Sequence, residues 1–228
     1  MFRLILVLTL GISLTACDKP PVSDSQDIIK VTPREGLKFP DTDSGRAVVA
    51  HLDAIFATGP DAEANYQASL TALRTKGVET ITTIVETYNN ADKSLYNERA
   101  VLVETLSELR LLEARDSLLE IANEKLPERV LAPDDTFSAI DQESIIRMTA
   151  IRGLGHIALK DDTAANALGV LATHREVSLQ EQARVSFAIV IAQEKDRERL
   201  VRLIKLFPGE YKDWLPLVGV APPAPSLN

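Results

Sequence analysis

From Gly45 onward, apolar residues recur at steps of three and four, and no stretch sustains the every-second-residue alternation of a half-buried strand. A chain spaced this way buries its apolar groups by forming helices and packing their stripes together. The spacing predicts helices near 46–57, 61–75, 78–89, 93–111, 114–125, 142–159, 163–174, 179–194 and 197–206. Start signals accompany several of them. Asp92 is predicted to cap the helix holding Tyr96 to Leu109, and Asp162 the one beginning at Thr163. Ser178 with Glu181 three residues on predicts a capping box. Helices joined by short links make the expected fold class all-α.

The helices also repeat. Arg99-Ala100-Val101-Leu102-Val103-Glu104-Thr105-Leu106 compares with Arg147-Met148-Thr149-Ala150-Ile151-Arg152-Gly153-Leu154 and with Arg184-Val185-Ser186-Phe187-Ala188-Ile189-Val190-Ile191. Each begins with arginine, keeps apolar residues three, four and seven places on, and is followed by a second apolar helix. The longer step contains an insertion at about 126–141, rich in proline and acid. A weaker early copy pairs Tyr66-Leu70-Leu73 with Val78-Ile81-Ile84-Val85. Periods of about 40 residues with two helices each predict a short α-solenoid of HEAT-like helix pairs. A non-repeating helical bundle is the alternative. Ile151-Arg152-Gly153-Leu154-Gly155-His156-Ile157-Ala158, then Asp161-Asp162 and Ala165 to Leu171, resembles a HEAT repeat of the kind found in bilin-lyase-like proteins. The resemblance spans 61–206 and is sharpest in this copy. It implies that a small residue in the first helix lets its partner approach, and that aspartate at the turn caps the second.

The N-terminus has a different logic. Met1-Phe2-Arg3 is followed by an apolar run from Leu4 and then by Leu14-Thr15-Ala16-Cys17, the pattern of a secretory signal. The run is well short of the ~20 residues that span a bilayer. Leu14-Thr15-Ala16-Cys17 resembles the lipobox of bacterial lipoproteins. That resemblance implies diacylglycerol on the Cys17 thiol, cleavage between Ala16 and Cys17, and acylation of the new amine. Each buried methylene contributes about 0.8 kcal/mol, so two or three acyl chains anchor firmly where one is marginal. The signal and lipobox predict an exported, lipid-anchored protein facing the periplasm, and Asp18, which resembles the inner-membrane retention signal of enterobacterial lipoproteins, implies retention at the inner membrane. The expected layout is a signal peptide at 1–16, a lipidated flexible tether at 17–44, a helical-repeat domain at 45–207, and a C-terminal cap and proline-rich tail at 208–228. Trp214 is read there as covering the last apolar face, with a ligand cage as the alternative.

A net charge of −8 argues against nucleic acid and against the domain lying flat on anionic lipid. Cys17 is the sole cysteine, so no internal disulfide forms. His51, His156 and His174 fall in different predicted helices, none with a second ligand at i+4, and are expected to be structural; His174 is placed in the last turn of its helix. Gly153-Leu154-Gly155 lacks a preceding strand and a third glycine, so it reads as packing rather than phosphate binding. Asp134-Asp135 and Asp161-Asp162 read as solvated caps. No catalytic, cofactor-binding or metal-binding residue is predicted, no cofactor is implied, and the chain is expected not to be an enzyme. The expected role is a membrane-anchored cell-envelope lipoprotein serving as a protein-binding scaffold or adaptor. Its partners are the lipid bilayer, through acylated Cys17, and a protein or peptide, with the 126–141 insertion either a binding loop or a cover for a repeat edge. The alternatives are an enzyme on a helical-repeat scaffold and a structural spacer.

Overall fold

A computed structural model describes residues 36–128 and 138–209, together with Asp213. Its described residues form nine α-helices: α1 (Asp43–Ile55), α2 (Ala62–Lys76), α3 (Val78–Asn90), α4 (Tyr96–Leu109), α5 (Arg115–Asn123), α6 (Ala139–Ala158), α7 (Asp162–Leu171), α8 (Val177–Gln193) and α9 (Arg197–Leu206). A 3-10 turn at Leu112–Ala114 leads into α5, and no strand occurs among the described residues. Each helix predicted from the apolar spacing is present. Helices α4, α6 and α8 lie side by side as one layer. In the second layer α5 packs on α6, α7 lies against α6 and α8, and α9 closes on α7 and α8. The first three helices pack on one another, and α3, together with α2, joins them to α4. The fold is an all-α solenoid of stacked helix pairs.

The core runs between the layers through Leu102, Leu106, Leu118, Ile146, Ala150, Leu154, Leu168 and Phe187, all buried. Burying each large aliphatic or aromatic side chain contributes roughly 1.5–3 kcal/mol. The central helix, α6, must meet neighbours on both flanks, and it does so at two glycines. A Cβ at Gly153 would lie 2.9 Å from Ser107 Oγ on α4 and 3.0 Å from Leu118 Cδ1 on α5, and one at Gly155 would lie 3.0 Å from Ser186 Cβ on α8. Gly153-Leu154-Gly155 is therefore a packing element.

Three predicted caps are corrected. The cap of α7 is Asp161, not Asp162: its backbone is extended and its Oδ1 accepts from the Ala164 amide at 2.7 Å. Asp92 accepts from the amide and hydroxyl of Ser94 and so holds the turn before α4, whose N-cap is Leu95. Ser178 already lies inside α8, whose N-cap is Glu176. The capping box that does form is Ser138 with Asp141, at the start of α6. Aspartate rather than glutamate closes it, inside the stretch read as the 126–141 insertion. Helix α6 thus begins at Ala139 and α5 ends at Asn123, so the α5–α6 link is shifted to 124–138. At the other end, Leu37 and Phe39 pack against the core and Thr42 caps α1, so the segment expected to be free through residue 44 is docked from Leu37. The expected signal peptide, Ala16, Cys17, Asp18, Asp134-Asp135 and Trp214 lie outside the described residues. No described helix is long and apolar enough to cross a membrane.

Gly153→Val drives methyl groups into Ser107 and Leu118 and is expected to cost about 1–3 kcal/mol in urea unfolding. Val170→Ala, at an exposed site on α7, is expected to stay within about 0.5 kcal/mol of the parent.

Candidate functional site

Arginines lead the repeats, and the structure shows what they do. The last carbonyls of a helix have no partner within that helix. Arg147 on α6 donates from Nε to the Glu124 carbonyl at 2.8 Å and from Nη2 to that of Lys125 at 3.0 Å, just past the end of α5. Arg184 on α8 donates to the Ala172 carbonyl after α7 at 3.1 Å. Arg99 on α4 donates to the Lys93 carbonyl in the α3–α4 link. Two arginines outside the repeat register serve other helix ends. Arg74 reaches the carbonyls of Glu108 and Leu109 at the end of α4, and Arg199 those of Ala158 and Leu159 at the end of α6.

Arg99 and Arg147 are buried, and buried charge needs a counter-charge. Glu143 supplies it. One helical turn before Arg147, its carboxylate accepts from Arg99 Nη1 on Oε1 and from Arg147 Nη1 on Oε2. The Tyr88 hydroxyl accepts from Arg99 Nη2 at 2.8 Å, and the Tyr88 ring lies 4.8 Å from that guanidinium. Burial pushes the Tyr88 hydroxyl up to about 12. Burial also pushes the Glu143 carboxyl up, but the hydrogen bonds from Arg99 and Arg147 outweigh it and hold the group below its ordinary range. Glu124, at the end of α5, is held differently. Its Oε2 stands 3.4 Å from Lys93 Nζ and 3.7 Å from both Arg99 Nη2 and Arg147 Nη2.

This cluster floors a cleft of about 460 Å³ lined by Lys93, Tyr96, Glu124, Lys125, Pro127, Glu143 and Arg147. A second cleft, of about 540 Å³, shares Glu124, Lys125 and Pro127 with it and extends to His174, Arg175 and Glu176 before α8. Both open on the edge of the solenoid where the α3–α4, α5–α6 and α7–α8 links lie.

Of the histidines and aspartates singled out from sequence, His174 lines the second cleft, while His51, His156, Asp161 and Asp162 line neither. His51 is buried, with Nδ1 2.8 Å from Ser69 Oγ and its ring against Tyr66. His156 is half-buried, and burial with the nearby Arg110 charge lowers its pKa. His174 lies beyond the end of α7 rather than in its last turn, and its Nδ1 accepts from the Glu176 amide at 3.0 Å. Asp162 is exposed and ion-paired with Arg199 at 2.6 Å and Arg202 at 3.5 Å, while the cap role belongs to Asp161. Among the described residues no three His, Cys, Asp or Glu side chains stand together as a metal site. Glu143, Glu124 and Tyr88 were not foreseen. A signal was present, because Arg99 shares the apolar stripe of Leu102, Val103 and Leu106, and a charge on such a stripe demands a partner.

The site thus belongs to a helical-repeat protein with a charged cluster at one edge. No protein-family model matches the sequence, and no curated protein matches it. A solved structure that does match is the complex of CpcE and CpcF of phycocyanin lyase from Nostoc sp. PCC7120, at 18% identity and a TM-score of 0.43, over 75% of this chain and 99% of the matched one. That protein is a lyase, an enzyme, and with it the expectation that this chain is not an enzyme is withdrawn. The expectation had treated missing catalytic motifs on a helical-repeat scaffold as a sign of binding alone.

Because the folded Glu143 carboxyl titrates below its ordinary 4.5, its stabilisation is complete above that pH and is lost as pH falls through the lower folded value. Glu143→Ala leaves two buried guanidinium groups without their counter-charge. It is expected to cost about 3–5 kcal/mol at neutral pH in denaturant unfolding and to flatten the acid limb of the stability curve. A cost below about 1 kcal/mol, within the range of an exposed pair, would refute the buried-cluster account.

Proposed function

We propose that this chain is an exported, lipid-anchored helical-repeat protein that binds a protein or peptide partner along the edge carrying the two clefts. The observation behind the reading is the continuity of that edge: the clefts share the wall Glu124, Lys125 and Pro127, from which the chain runs into the insertion. Stacked helix pairs provide a rigid, extended surface, and loops mounted on such a scaffold commonly carry recognition. The anchoring half rests on the Leu14-Thr15-Ala16-Cys17 motif, with Asp18 favouring the inner membrane. An enzyme on the same scaffold is the second reading, of which the matched lyase is an instance. The same clefts would then receive its substrate.

An alkyne-tagged fatty acid fed to cells is expected to label the wild-type protein and not Cys17→Ala; an unlabelled wild type would end the anchoring reading. Crosslinking in intact envelopes is expected to recover a stoichiometric partner that is lost when residues 129–137 are replaced by a Gly-Ser linker. A partner kept both by that replacement and by Tyr96→Glu would place binding elsewhere.

A further inference from the structure

The cleft beside α4 holds more positive charge than the cluster uses. Lys93, Lys125 and Arg147 line it and Arg99 lies behind it, against the carboxylates of Glu124 and Glu143. This excess is local, since the chain as a whole carries −8. Donors are in excess as well. Arg99 Nε is buried without an acceptor, and among the described residues no carboxylate forms an ion pair with the exposed Lys125. Glu143 is consumed by close hydrogen bonds to both guanidinium groups. Glu124 is not: one oxygen is shared among three cations at 3.4–3.7 Å, and its side chain is 24% exposed. It is also the C-cap of α5, with an extended ψ of 141°, so its side chain can swing outward without breaking a helical turn.

We propose that this cleft receives a carboxylate on an acidic peptide segment of the partner, and that Glu124 is an internal carboxylate keeping the place until the partner displaces it. Lys93 and Lys125 are the receiving cations, with the bound Arg147 guanidinium adding positive charge behind them, and the Tyr96 ring supplies an apolar wall for the methylenes of a Glu side chain. The inference rests on the partner-binding reading above. Because both lysines are exposed, binding weakens as salt screens them.

The test uses the full-length chain in neutral detergent with fluorescein-labelled hexaglutamate, followed by anisotropy, and hexalysine as the control. Glu124→Gln, which removes the competing charge, is expected to tighten hexaglutamate binding at least fivefold. Lys93→Glu/Lys125→Glu is expected to weaken it tenfold or more. Should that pair misfold, Lys125→Ala alone is expected to weaken it threefold. Unchanged affinity in Glu124→Gln, equal binding of hexalysine, or displacement by inorganic phosphate at concentrations where acetate has no effect would each overturn the proposal. The envelope crosslink separates the two levels. A partner kept by Lys93→Glu/Lys125→Glu but lost with the 129–137 replacement overturns the acidic class and leaves partner binding standing. No partner in any sample overturns partner binding itself.

Discussion

Orphaned carbonyls at helix ends, met by arginine from another helix, are the interaction on which this solenoid depends. The ends of α4, α5, α6 and α7 are served in turn by Arg74 on α2, Arg147 on α6, Arg199 on α9 and Arg184 on α8. A guanidinium suits the task because its fork presents several N–H groups in fixed directions, and three of these arginines span two successive carbonyls. Lysine, with one tetrahedral head, cannot reproduce that geometry. Apolar stripes bring the helices together, while the arginines set how far each slides along its neighbour.

The same device explains the charged edge. Placing Arg99 and Arg147 deep enough to reach the link carbonyls strips them of water, and the structure answers with Glu143, Tyr88 and the more distant Glu124. Buried ion clusters of this sort add little net stability relative to an apolar core, but losing one member is costly. Here the cluster also sets the floor of an open cleft, so an architectural requirement leaves a chemically distinctive surface beside the α5–α6 link.

Much of the fold was legible in the sequence, because apolar periodicity reports helices directly. The helix ends were less so. Asp161 and Asp162 are chemically equal candidates for one cap, and only the backbone at the turn decides between them. The Ser138–Asp141 box was hidden inside a stretch whose prolines read as loop. The repeat-leading arginines read as markers of register, though their position on the buried stripe also implies a bonded role. Glu143 could not be paired with Arg99 from sequence, since the two are 44 residues apart and meet only when α4 and α6 lie side by side. The clefts are products of that same long-range arrangement, so no local pattern announced them.

The Arg99–Glu143 contact bears on how the chain acquires its structure. In an ideal repeat array each unit adds its own stability and one interface, and folding can begin anywhere and spread. Here α4 cannot settle fully on α3 at low cost, because Arg99 would be dehydrated before its carboxylate arrives on α6. The four helices α3 to α6 are therefore bound into one all-or-none block, a foldon larger than a single repeat. Beyond that block, α1 and α9 stand at the two ends of the array of described helices, where opening a helix leaves the ion cluster whole.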